Sequence, residues 1–157
     1  MIRIAQYRGT SIASRIIKFV TRGKYSHTAI MIEDNVIIEA WQGSNEVRII
    51  RGLSDGHKAG TKADIYEIPC TEAQEEAICA YLMSQVGMKY DYFGLISFYF
   101  NKSKYNRESR WFCSELFASA CNRSGVQLLN NVEPWQVSPT MVTRSPLPKF
   151  VRSVITE

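Results

Sequence analysis

SHTAIMIEDNVIIEAW, residues 26–41, holds two β-prone runs, SHTAIMI and VIIEAW, on either side of the turn residues Asp34 and Asn35. Valine, isoleucine, threonine and aromatic residues suit a pleated, half-buried surface, and a polar turn pair between two such runs reads as a hairpin. A third run, EVRIIR at residues 46–51, follows the turn residues Gly43, Ser44 and Asn45. The three runs predict an antiparallel meander.

Upstream, IRIAQY at residues 2–7 reads as a short strand. Ser11 is placed to cap a helix running to about residue 21, with Ile12, Ile16, Phe19 and Val20 at helical spacing and Gly23 as its stop. Downstream come a loop over residues 52–60 and a strand over 63–68. Thr71 and Gln74 have capping-box spacing, so a helix is expected over residues 73–86, ended by Gly87. The aromatic stretch 90–100 fits either type of element, and 101–110 is polar enough for a loop. Residues 113–124 form a clear amphipathic helix with Cys113, Leu116, Phe117, Ala120 and Cys121 on one face. Four prolines after residue 130 forbid one continuous terminal helix. Strands grouped centrally with helices around them predict one α+β domain over residues 1–157.

The 157 residues are 45% hydrophobic and 11% aromatic, enough for an ordinary core and incompatible with a disordered chain. Lys and Arg total 19 against 15 Asp and Glu, spread without a run of five or six, so the clustered stripe of a nucleic-acid binder is missing. The longest apolar-aromatic run, residues 92–100, is half of what a membrane span needs. Arg3, Arg8, Arg15 and Lys18 interrupt the opening apolar residues, which argues against a signal peptide. The expectation is a cytoplasmic protein without a transmembrane segment, any delivery to a cell wall being left to another route. The four cysteines, Cys70, Cys79, Cys113 and Cys121, contain no CxxC pair.

Three residues carry chemistry when taken together. His27 begins a strand, Glu39 sits in the next, and Cys113 starts a helix. A cysteine at a helix N-terminus meets unpaired N–H groups and the positive end of the helix dipole, which favours thiolate. An imidazole nearby can act as base and then acid, and a carboxylate on its far side fixes its tautomer. By residue type alone each also has a plain structural reading: Cys113 as core, His27 as a strand-end residue, Glu39 as a solvated carboxylate.

The residues SHTAIMIEDNVIIEAW resemble the histidine hairpin of the NlpC-type papain-like superfamily of cell-wall amidases, with His27 and Glu39 at that motif's twelve-residue spacing. GMKYDYFG, residues 87–94, resembles the Gly-x-x-Tyr element before the nucleophile, and WFCSELFASA, residues 111–120, the nucleophile helix. Histidine precedes cysteine here, the reverse of the usual papain-like order, which resembles the circularly permuted, YiiX-like members. IAQYRGTSIASRIIKFVTRGKYSHTAI and SPTMVTRSPLPKFV resemble that group too. The resemblance implies a permuted papain-like fold with a barrel-like meander against helices. It also implies nucleophile Cys113, base His27, orienting Glu39 and a cleft tyrosine, Tyr90, at the oxyanion site. No metal and no other cofactor is implied. Phe112 stands where many relatives carry an aspartate, so that aspartate's role does not carry over.

Register decides the orienter. A two-residue turn at Asp34-Asn35 pairs Ile30 with Glu39 and sets His27 opposite Gln42, with Glu39 on the other surface. A three-residue turn or bulge returns His27 and Glu39 to one face as diagonal neighbours. The resemblance favours the second arrangement, and Gln42 is the fallback orienter. His57, in the loop GLSDGHKAG, reads as solvated. Cys113 is expected to be the fastest-alkylated thiol.

The leading expectation is a cysteine amidase or peptidase acting on a peptide or amide-containing substrate, including cell-wall peptides. The alternatives are a lecithin:retinol-acyltransferase-like lipid acyltransferase and a non-catalytic binding module that keeps the cleft. The lack of anything like a membrane anchor favours peptides over bilayer lipids.

Overall fold

The meander forms as three strands: β2 (His27–Met31), β3 (Val36–Trp41) and β4 (Glu46–Arg51). The computed structural model describes residues 1–92 and 110–157. The readings made for the aromatic stretch beyond Tyr92 and for the polar loop after it therefore lie outside the described residues. Around the meander, β1 (Ile2–Tyr7) pairs with β2 on one side and with β5 (Lys62–Ile68) on the other. Two short strands, β6 (Lys89–Tyr90) and β7 (Arg110–Trp111), extend the far edge, and β8 (Lys149–Ile155) pairs with β5. The order is β7-β6-β4-β3-β2-β1-β5-β8, antiparallel throughout except for β6 with β7. This is an open mixed sheet. The barrel-like closure is corrected: the outer strands β6 and β7 are two residues each, too short to carry the ladder that closure requires.

Side-chain alternation gives the sheet two faces. Ile4, Ile30, Ile38, Val47 and Ile68 point to the larger cluster, completed by Ile78 and Leu82 of α2 (Glu72–Ser84) and by Leu116 and Phe117 of α3 (Cys113–Arg123). Ala5, Tyr7, Ala29, Met31, Ile37 and Ile50 point to a smaller cluster on the other face, covered by Leu53. The caps follow the residue types. The Ser11 hydroxyl accepts the Ser14 N–H ahead of α1 (Ile12–Val20), and Thr71 and Gln74 make both bonds of a capping box ahead of α2. At α3 the Glu115 carboxylate accepts the Phe112 N–H, while the Ser114 hydroxyl donates to the Val137 carbonyl and ties the tail to the helix. After a 3₁₀ turn (Pro134–Gln136) and the short α4 (Pro139–Val142), the chain returns as β8, a strand the proline count obscured. Among the described residues, no helix is long and apolar enough to cross a membrane.

Candidate active site

The hairpin takes the register that brings His27 and Glu39 together. Ile30 lies opposite Ile38 and Met31 opposite Ile37, and the Ile32 and Glu33 N–H groups both donate to the Val36 carbonyl. Residues 33–35 therefore make a three-residue turn. Continued to the strand end, this register sets His27 opposite Trp41, whose ring lies edge-on to the imidazole at 5.1 Å. Glu39 is the diagonal neighbour, and its Oε2 lies 2.7 Å from His27 Nε2. Gln42, the fallback orienter, is not the residue on His27; its backbone carbonyl accepts the Tyr92 hydroxyl.

Glu39 has no exposed surface and is held at both oxygens. Oε1 accepts from Arg48 Nε at 2.9 Å and from Nη2 at 2.6 Å, a side-on guanidinium pairing. Arg48 is there because it lies directly across the β3–β4 ladder from Glu39. Oε2 takes His27 and a second imidazole, His57 Nε2 at 3.1 Å. The solvated reading of His57 is thereby corrected: its side chain is 4% exposed and stacks on Tyr7 at 3.8 Å, with 3° between the rings. Loop closure explains the difference. Gly56 has φ +75°, and a Cβ there would lie 2.6 Å from Arg48 Nη2, so glycine lets the loop close over the guanidinium and lower His57 onto Glu39.

The electrostatics follow from this crowding. Burial alone would raise the Glu39 carboxyl, but the charge and hydrogen bond of His27 and the bond from His57 outweigh it, and the group stays ionised far below the usual carboxylate range. Burial pushes His27 below the ordinary imidazole value against the opposing pull of Glu39. A neutral imidazole beside an ionised acceptor carries its proton on Nε2 and keeps the lone pair on Nδ1.

Cys113 is the first residue of α3 and has no exposed surface. Burial pushes its thiol up to about 12, outweighing the opposing pull of the backbone N–H groups of Thr28, Ser114 and Cys113 itself. The expectation of a resting thiolate that alkylates first is therefore corrected. Nearby backbone N–H groups and a helix dipole do not replace the solvation lost on complete burial, and Cys70 and Cys79 are only partly buried. α3 packs on the sheet face of Thr28 and Ile30, whereas His27 and Glu39 alternate to the opposite face. His27 is the first residue of β2, and at this strand end the Glu39 carboxylate is near enough to act on the Cys113 thiol electrostatically. Among the described residues no hydrogen bond joins Cys113 to His27. Tyr90 is buried beside Cys113; burial first, then the nearby thiol, raises its phenol well above the usual value.

A cleft of about 240 Å³ opens at this end of the sheet. His27, His57, Trp41 and Tyr90 line it, with Ser14 and Ile17 of α1 on the flank. Sequence reasoning missed Arg48 and His57. Pairing the strand ends Trp41 and Glu46 counts directly back to Glu39 opposite Arg48, whereas nothing in GLSDGHKAG signals a buried imidazole.

An open eight-stranded sheet backed by helices, with a buried ionisable cluster at one end, defines an α+β protein of YiiX-like fold. The chain is similar to the crystal structure of metalloprotein yiiX from Escherichia coli O157:H7, DUF1105, with a TM-score of 0.72 and 18% identity over 96% of this chain and 95% of that one. What the two share at that identity is the fold. No family model matches the chain, and no curated protein does.

One donor set suits a metal. The ligand atoms of His27, Glu39 and His57 lie within 4.8 Å of one another. Two imidazoles and a carboxylate are a zinc-type set, and Arg48 on the second carboxylate oxygen is the kind of outer partner such sites use. The residues fit the group.

Proposed function

We propose that this chain is a thiol-dependent amide hydrolase of circularly permuted papain-like fold, with Cys113 as nucleophile, His27 as base then acid, and Glu39 orienting His27. The observation that carries it is the bond from His27 Nε2 to Glu39, which leaves Nδ1 as the basic atom, with Cys113 buried near the backbone of the adjoining Thr28. Nδ1 takes the thiol proton as Sγ bonds to the amide carbon. The C–N bond then breaks, and Nδ1–H protonates the departing amine. Water, deprotonated by His27, attacks the thioester, releasing the acid and restoring the thiol. Tyr90 and the Cys113 N–H serve the oxyanion. His57 and Arg48 hold Glu39 ionised and in place.

The test is release of free acid from short peptide amides, cell-wall stem peptides included, with phospholipid vesicles plus an amine acceptor run in parallel. Acid from the peptides supports the hydrolase. Acylated amine from the vesicles with the peptides untouched replaces it with the transferase, and silence in both arms favours the binding module. The pH profile adds a second check. Because the folded pKa of His27 is lowered, its neutral form persists below the unfolded value of about 6.5, and activity is lost only as pH falls through the folded value. The acid limb of kcat/KM therefore lies below pH 6.5; a limb centred above it contradicts the assignment of His27 as the base.

A second reading is favoured by the His27–Glu39–His57 donor set and by the metalloprotein to which the fold is similar. In it the three residues hold a zinc-type ion, which supplies Lewis-acid chemistry when bound, and His57 rather than Cys113 is essential. Metal content of the purified protein, and its loss in His57→Ala, distinguish the two.

A further inference from the structure

An amphipathic surface helix ordinarily turns its apolar stripe toward the core. The apolar stripe of α1 faces solvent instead. Ile17 is the buried member, while Ile12, Ile16 and Phe19 are 78%, 54% and 80% exposed. At about 100° per residue these three fall within roughly 60° of one another, Arg15 and Lys18 form the adjoining stripe, and Arg22 follows just past the helix end in a left-handed turn. Among the described residues none of these three cations has a carboxylate partner, whereas Arg3 and Arg8 are paired with Asp34 and Asp64. The charge of the chain is also concentrated here. Residues 1–32 contain six Lys and Arg and no acidic residue, leaving 13 basic against 15 acidic residues in the remainder.

We propose that α1 is a docking face for an anionic phospholipid bilayer. It lies in the interface with Ile12, Ile16 and Phe19 among the acyl-chain ends and Arg15, Lys18 and Arg22 on the headgroup phosphates. A second copy of the chain is a poorer occupant, because a two-fold contact sets the same patch against itself and brings the basic stripes together. Nucleic acid satisfies the cations and leaves the apolar stripe in water. Ser14 and Ile17 of the same helix line the cleft from the side of α1 turned away from the apolar stripe, so the helix sits between the cleft and the docked surface. An attachment of this kind is one that a search for a long apolar run does not detect. The docking face does not depend on the amide hydrolase reading.

The experiment is co-sedimentation of the full chain with phosphatidylcholine vesicles with and without phosphatidylglycerol. Binding is expected only with the anionic lipid, weakening as salt rises. The triple variant Arg15→Gln/Lys18→Gln/Arg22→Gln should bind about 100-fold more weakly. Ile16→Ser/Phe19→Ser should bind on the order of tenfold more weakly, with an unchanged far-UV spectrum because both side chains face solvent. Turnover of a soluble amide by these variants reports the chemistry separately, so failure of one reading is distinguishable from failure of the other. No sedimentation with anionic vesicles, equal binding to neutral ones, or a dimer that the serine variant converts to monomer each overturns the proposal.

Discussion

Cys113→Ser is expected to lower amide turnover by about 10⁴-fold or more, the scale seen when a nucleophile is removed from a catalytic unit whose parts act together. The substitution is nearly isosteric, so thermal stability should change little. His27→Ala should cost about 10²–10⁴-fold, as for a general acid–base group. The measurement is steady-state turnover, with intact-protein mass spectrometry to detect acyl groups on wild-type Cys113. Because burial pushes this thiol up to about 12, labelling should depend on the probe. An amide or ester substrate analogue held in the cleft should react while iodoacetamide lags. If Cys113→Ser retains its activity and His57→Ala loses it, the thiol mechanism fails and the metal reading takes its place.

Glu39→Ala is expected to destabilise the protein by about 3–5 kcal/mol, the cost of leaving a buried charge without its partner. Arg48, with 20% of its side chain exposed, would lose its carboxylate, and His27 and His57 would lose their shared acceptor. For a domain of this size that corresponds to a melting temperature lower by roughly 6–20 °C. Glu39 is thus expected to hold the local fold as well as to play the orienting role proposed for it. Glu39→Gln keeps an acceptor for Arg48 and should melt higher than Glu39→Ala, and adding Arg48→Met to Glu39→Ala should recover part of the loss. A melting temperature for Glu39→Ala within about 2 °C of wild type would show that the cluster is not the buried ionic unit described. Gln42→Ala, outside the His27–Glu39 pair, should lose less activity than Glu39→Ala.

Local patterning alone was enough for much of this molecule. The meander, the caps at Ser11 and Thr71, and the helix beginning at Cys113 are set by residues within a few positions of one another, where side-chain period and capping chemistry act directly. The pairing of His27 with Glu39 was legible as one of two registers, since parity along a hairpin leaves no third choice. Arg48 was countable from the next turn.

What only the tertiary structure decided lies where distant segments meet. His57 reads as a solvated loop residue until the loop closes over Glu39, which depends on the left-handed turn at Gly56 beside Arg48. Cys113 reads as an activated thiol from its helix position, yet packing against Thr28 removes its solvent and reverses the direction of its pKa. α1 shows the same limit. Its spacing specifies an apolar stripe, but which way a stripe faces depends on what packs beside it, and a helix carries no internal record of its neighbours.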